Sequence, residues 1–101
     1  MARLGIYPNP GRSVRGYVVD IQADLLSGLE TRVVIALMPE DVVPIAASGL
    51  NPVFDVEGRR YVLMTQAVAT VPRRELRGAV ASLNGQRDVV LAAIDFLISG
   101  F

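Results

Sequence analysis

The sequence predicts a mostly-β domain closed by a C-terminal α-helix. Three observations predict it. As far as Pro72 the apolar residues fall in short runs rich in Val, Ile and Tyr, cut apart by Pro, Gly and Asn. Towards the C-terminus the period changes, and Val90, Leu91, Ile94, Leu97 and Ile98 recur at i, i+1, i+4, i+7 and i+8, the spacing of one helix face. The length, 101 residues, is that of one domain, so residues 1–101 are read as a single unit.

Leu4 and Ile6 alternate with Arg3, Gly5 and Tyr7, which predicts a first strand, and Pro8-Asn9-Pro10-Gly11 ends it. The segment to Gly16 carries Arg12 and Arg15 and reads as a solvent loop. Tyr17 to Gln22 is β-branched and aromatic, a second strand that ends before the turn signal Ser27-Gly28. Arg32 to Leu37 is a continuous apolar run of strand length, expected to be buried on both faces. Pro39-Glu40-Asp41 breaks it, and Pro44 keeps the following piece irregular. Val53–Val56 and Arg60–Met64 flank a short loop containing Gly58, the pattern of a β-hairpin. Gln66 to Val71 reads as one more strand, closed by Pro72. The helix is expected from about Gln86 to about Ile98, with Asn84 as its N-cap and Asp88 as an acid near its start.

Composition narrows the chemistry. Ten Arg balance ten acidic residues and Lys is missing, so the neutral chain has no general attraction for nucleic acid or an anionic membrane. Without Cys there is no disulfide, thiolate metal site or thiol nucleophile, and without His the usual general base is missing too. No cofactor or metal is expected. No apolar stretch approaches the ~20 residues that span a bilayer, and the N-terminus lacks a signal-peptide core, so the cytoplasm is the expected compartment.

Four features invite a functional reading. Asp20, Gln22 and Asp24 would share one strand face and could offer oxygens to a hard cation, though the polar side of a half-buried strand has the same pattern. The pairs Arg59-Arg60 and Arg73-Arg74 could contact phosphates, but flanking Glu57 and Glu75 favour ordinary solvated loops. Leu25-Leu26 stands at the mouth of a turn, as a contact patch or with one residue turned to the core. In the tail Ile98-Ser99-Gly100-Phe101, Gly100 can break the helix and aim Phe101, to be packed down or offered to a partner. No spacing singles out a catalytic pair, and the chain is expected not to be an enzyme.

Taken in order, Val19-Asp20-Ile21-Gln22-Ala23-Asp24-Leu25-Leu26, Val34-Ile35-Ala36-Leu37, Asn51-Pro52-Val53, Met64-Thr65, Ala69-Thr70-Val71-Pro72, Leu83, Ile94 and Gly100 resemble the CcdB family over nearly the whole length. These are the toxin halves of type II toxin–antitoxin pairs. The resemblance implies an SH3-like barrel, an antiparallel sheet with the C-terminal helix, and a homodimer joined partly along the helices, here through Val90, Leu91, Ile94 and Leu97. It implies DNA gyrase as target: the end of the helix enters the gyrase A dimer and traps the enzyme on cleaved DNA, with no chemistry by the toxin and no direct nucleic-acid or membrane partner. A disordered, CcdA-like antitoxin covers an overlapping surface. Carried over, the target-binding residues would be Leu25, Leu26, Asp95, Ile98, Ser99, Gly100 and Phe101. Three of these depart from the family pattern, which has Asn, Phe and Trp where this chain has Asp95, Ile98 and Ser99. Two other readings are a homologue that keeps fold and dimer without poisoning gyrase, and an RNA-cutting toxin of the Kid and MazF type that uses Arg with Asp or Glu.

Overall fold

A computed structural model of the chain describes residues 4–11, 16–43 and 47–100. Arg3, Arg12, Arg15, Pro44 and Phe101, which figure in the expectations above, lie outside the described residues. Among the described residues six antiparallel strands form a nearly closed, barrel-like sheet, and one α-helix follows them. The strands are β1 (Gly5–Pro8), β2 (Tyr17–Asp20), β3 (Thr31–Pro39), β4 (Val53–Val56), β5 (Arg59–Pro72) and β6 (Ala81–Ser82), and α1 spans Arg87–Ser99. Their order across the sheet is β4-β5-β3-β2-β1-β6.

Alternation along the central strands fills two cores, one on each face of the sheet. Val19, Ile35, Leu37, Phe54, Val56, Tyr61 and Leu63 point to one side with Leu4, Ile6 and Leu83, and Val90 of α1 closes that core with Ile94 packed against it. Tyr7, Val18, Val34 and Leu76 form a second, smaller core on the other face. Leu76 comes from the segment after β5, which runs back along the sheet and hands Val80 N–H to the carbonyl of Ile6 at 2.8 Å. This is why the run in β3 is apolar without alternation: both of its faces are covered.

β4 and β5 are joined by Glu57-Gly58, with φ of 50° and 82°. Positive φ at both central residues is the twist-matched hairpin turn, and Gly supplies the second position without a Cβ penalty. Gly16 is constrained more tightly. Its φ is 106°, and a Cβ there would come to 2.5 Å from the carbonyl oxygen of Leu37.

The expected strand from Gln66 to Val71 is not separate. It is the second half of the 14-residue β5. Ile35 pairs with Val68 while the next residue, Ala36, pairs with Met64, so Thr65, Gln66 and Ala67 bulge out between them. The bulge is strapped by the loop before β4. Asn51 Nδ2 donates to the Leu63 carbonyl at 3.0 Å and to Gln66 Oε1 at 2.9 Å, and the buried Thr65 hydroxyl donates to the Leu50 carbonyl.

Two local expectations are corrected. β2 ends at Asp20, and the chain enters a 3-10 turn at Asp24–Leu26. Asn84 does not cap α1: it opens a 3-10 turn, Asn84–Gln86, that feeds directly into the helix, and its own N–H donates to Ser82 Oγ at 3.1 Å. Gly100 does end the helix. Its φ is 79° and its N–H donates to the Phe96 carbonyl at 2.8 Å, a left-handed C-cap. Among the described residues no helix is long and apolar enough to cross a membrane.

Candidate functional site

The turn after β2 puts large apolar side chains into water. Leu25 is 93% exposed, Leu26 46% and Leu29 51%. Neither Leu25 nor Leu26 points into the core, which resolves the alternatives left open by the pattern in favour of a surface patch. An exposed leucine taken singly is ordinary, but three within five residues of one turn make a contiguous patch.

The helix end supplies the second part. Val90 and Ala93 are buried, and Ile94 and Phe96 are half-buried. Leu91, Asp95 and Ile98 are exposed and recur at i, i+4 and i+7, so they form one stripe beside the buried face, with Ile98 76% exposed at its far end. Ser99 is exposed, and Gly100 behind it takes the left-handed C-cap conformation.

Turn and stripe meet. A small open cleft is lined by Leu4, Ile21, Gln22, Ala23 and Asp24 on one side and by Arg87 and Leu91 on the other. Leu91 is therefore the link. It touches the cleft beside the leucine turn and begins the stripe, which reaches Ile98 about 10 Å further along the helix axis at 1.5 Å per residue. The family resemblance implies Leu91 at the dimer, and nothing local in the sequence says which turn packs beside which helix face.

Val90, expected at the dimer interface, lies inside the protomer. Its side chain is completely buried in the protomer's own core, so it has no surface left for a second copy. Ile94 is packed on the same core, and Leu91 and Leu97 are the members of the expected set that stay exposed.

The carboxylates do not assemble as a cation site. Asp20 is 1% exposed and is held by Arg32, equally buried, with Nε at 2.9 Å and Nη2 at 2.7 Å from Oδ2. Asp24 sits out on the 3-10 turn. Among the described residues no group of three His, Cys, Asp or Glu is placed to hold a metal ion. The basic pairs are likewise occupied structurally in part: Arg60 binds Glu40 at 2.9 Å, and Arg73 Nη1 donates to the Ser27 carbonyl at 2.9 Å.

The exposed surface thus combines an apolar turn, a cleft and a half-apolar helix stripe. Comparison with protein families matches the family described as CcdB protein over residues 3–100. The chain belongs to the CcdB family. Comparison with curated proteins finds no match. The CcdB match spans the whole described barrel and its C-terminal helix.

Proposed function

We propose that this chain is a CcdB-like toxin that acts as a homodimer in the cytoplasm, binds the DNA gyrase A subunit and traps the cleavage complex, and is neutralised by a CcdA-like antitoxin. Residues 1–101 act as one domain, and the chain does no chemistry of its own. The observation that carries this reading is Leu25, 93% exposed on a fixed turn in a chain matched almost end to end by the CcdB family. Leu25, Leu26, Asp95, Ile98, Ser99, Gly100 and Phe101 are its proposed contact surface.

Ser99 sets the strength of the contact. A buried aromatic anchor carries about 2–4 kcal/mol of binding. At about 1.4 kcal/mol per decade, restoring one with Ser99→Trp is expected to tighten gyrase A binding by roughly one and a half to three decades. The experiment is direct binding of the parent and of Ser99→Trp to gyrase A, with growth and plasmid supercoiling followed on overexpression. Binding by Ser99→Trp alone means that the parent keeps the fold and has dropped gyrase. Binding by neither removes gyrase from this reading.

The homodimer is proposed on the exposed apolar residues that α1 leaves uncovered, Leu91 and Leu97. Leu91→Glu is expected to run as a monomer in sedimentation velocity at a concentration where the parent is a dimer, because a carboxylate cannot be buried there without a partner. A Leu91→Glu protein that stays dimeric takes Leu91 out of the interface and leaves it to the target stripe.

A further inference from the structure

An exposed leucine cannot hold its own position. Water favours its collapse onto any nearby apolar surface, so a turn that keeps Leu25 outward must have its backbone fixed by something else. The bonds within the turn are local: Leu26 N–H to Ala23 O at 2.9 Å, Ser27 N–H to Asp24 O at 3.0 Å and Leu29 N–H to Leu26 O at 3.1 Å. A short 3-10 segment held by such bonds alone is weak.

We infer that Gln22 is a positioning residue that clamps the Leu25–Leu26 turn to β3 and so prepares it for its partner. β2 has ended two residues earlier, and the ladder with β3 would stop there. Ile21 makes its last backbone step, donating to the Val33 carbonyl at 3.1 Å. The Gln22 side chain then takes the place of the missing strand carbonyl: Val33 N–H donates to Gln22 Oε1 at 3.1 Å. The same amide reaches the other way, and Gln22 Nε2 donates to the Leu26 carbonyl at 3.0 Å. The two partners fix the orientation of the amide, since an N–H needs the oxygen and a carbonyl needs the nitrogen.

The clamp is itself anchored in the core. Gln22 N–H donates to Asp20 Oδ1 at 3.0 Å, while Asp20 Oδ2 is held by Arg32. A continuous series of bonds therefore runs from a buried ion pair, through one half-buried glutamine, to the backbone under an exposed leucine patch. Arg73 secures the far side of the turn through the Ser27 carbonyl.

The proposal rests on the turn being a partner-contact surface, and the test separates the two. Gln22→Glu keeps an oxygen for Val33 N–H and loses the donor to Leu26, replacing it with a carboxylate facing a carbonyl. In the free protein, hydrogen exchange is expected to accelerate at the Leu26, Ser27 and Leu29 amides while Val33 stays protected. With one hydrogen bond of ordinary net strength lost, gyrase A binding is expected to weaken about threefold to tenfold, and the melting temperature to fall by no more than that one bond accounts for, about 4–8 °C per kcal/mol. That loss should vanish in a Leu25→Ala/Leu26→Ala background, since Gln22 acts only through those leucines. Turn amides that exchange as in the parent overturn the clamp, as does an undiminished loss in the double-alanine background. A parent that never binds gyrase A sinks the proposed target, and the exchange measurement then decides the clamp by itself.

Discussion

Replacing Asp20 by Ala is expected to lower the free energy of unfolding by about 3–5 kcal/mol, the cost of leaving a buried charge without its partner. The Arg32 guanidinium is 1% exposed, and its Nη1 already lacks a hydrogen-bond partner among the described residues. Asp20 supplies the carboxylate that neutralises it at 2.7–2.9 Å. Without that carboxylate the charge has to drag water into the sheet or pull Arg32 out of it. The measurement is the urea midpoint of Asp20→Ala against the parent. The diagnostic control is Asp20→Leu/Arg32→Met, which removes both charges and keeps apolar volume, and is expected to recover most of the loss. A double variant as unstable as Asp20→Ala would mean that packing, not charge, holds this place. The exposed pair Arg60–Glu40 offers the contrast: 61% and 46% exposed, it is screened by water, and Glu40→Gln is expected to leave the midpoint where it was.

The same pair shows where a sequence stops being legible. Asp20 in a β-branched run looks like the polar side of a half-buried strand, and period-two alternation cannot distinguish that from a buried acid. The distinction lies twelve residues away, in an arginine that opens a run read as wholly apolar. The strands themselves were legible because their signals are local: β-branched runs, prolines at their ends, and Gly58 in the hairpin turn. β5 was split in two because a three-residue bulge resembles a strand ending; what holds it together is Asn51 and Thr65, joined only by the fold. β6, two residues long, has no pattern of its own, and it exists because β1 offers it an edge.

For the candidate site, the residue types were legible and their arrangement was not. Leu25-Leu26 and the helix tail could be singled out from order and spacing. That they are joined across a cleft by Leu91, and that Val90 is spent on the protomer's own core, depends on which face of α1 meets the sheet. The hydrophobic period defines a face but not its width. Val90, Leu91, Ile94 and Leu97 all fit one apolar helix face in the sequence, whereas the single-residue step of about 100° around the helix places Val90 inside and Leu91 at the surface.

Leu63→Ala and Leu25→Ala delete the same atoms and are expected to do opposite things. Leu63 is completely buried, faces Leu37 across the β3–β5 ladder, and packs within the larger core. Its backbone bonds to Pro52 and Asn51 survive the substitution, so the change is confined to the side chain. Removing it costs the transfer free energy of the lost carbons and leaves a cavity that a close-packed barrel cannot collapse around, about 2–5 kcal/mol together. In a domain of this size that is a fall in melting temperature of roughly 8–40 °C, taking about 4–8 °C per kcal/mol. Because a dimer would make melting concentration-dependent, parent and variant must be compared at one protein concentration. Leu25, 93% exposed, has almost no contact to lose, and Leu25→Ala is expected to melt with the parent, within about 0.5 kcal/mol. Its cost should appear only when a partner is present, as weaker gyrase A binding. A Leu25→Ala protein that melts early would place that side chain in the fold after all, and one that binds like the parent would leave the apolar turn without a function. The two substitutions separate the leucines that build the barrel from those the barrel holds out to a partner.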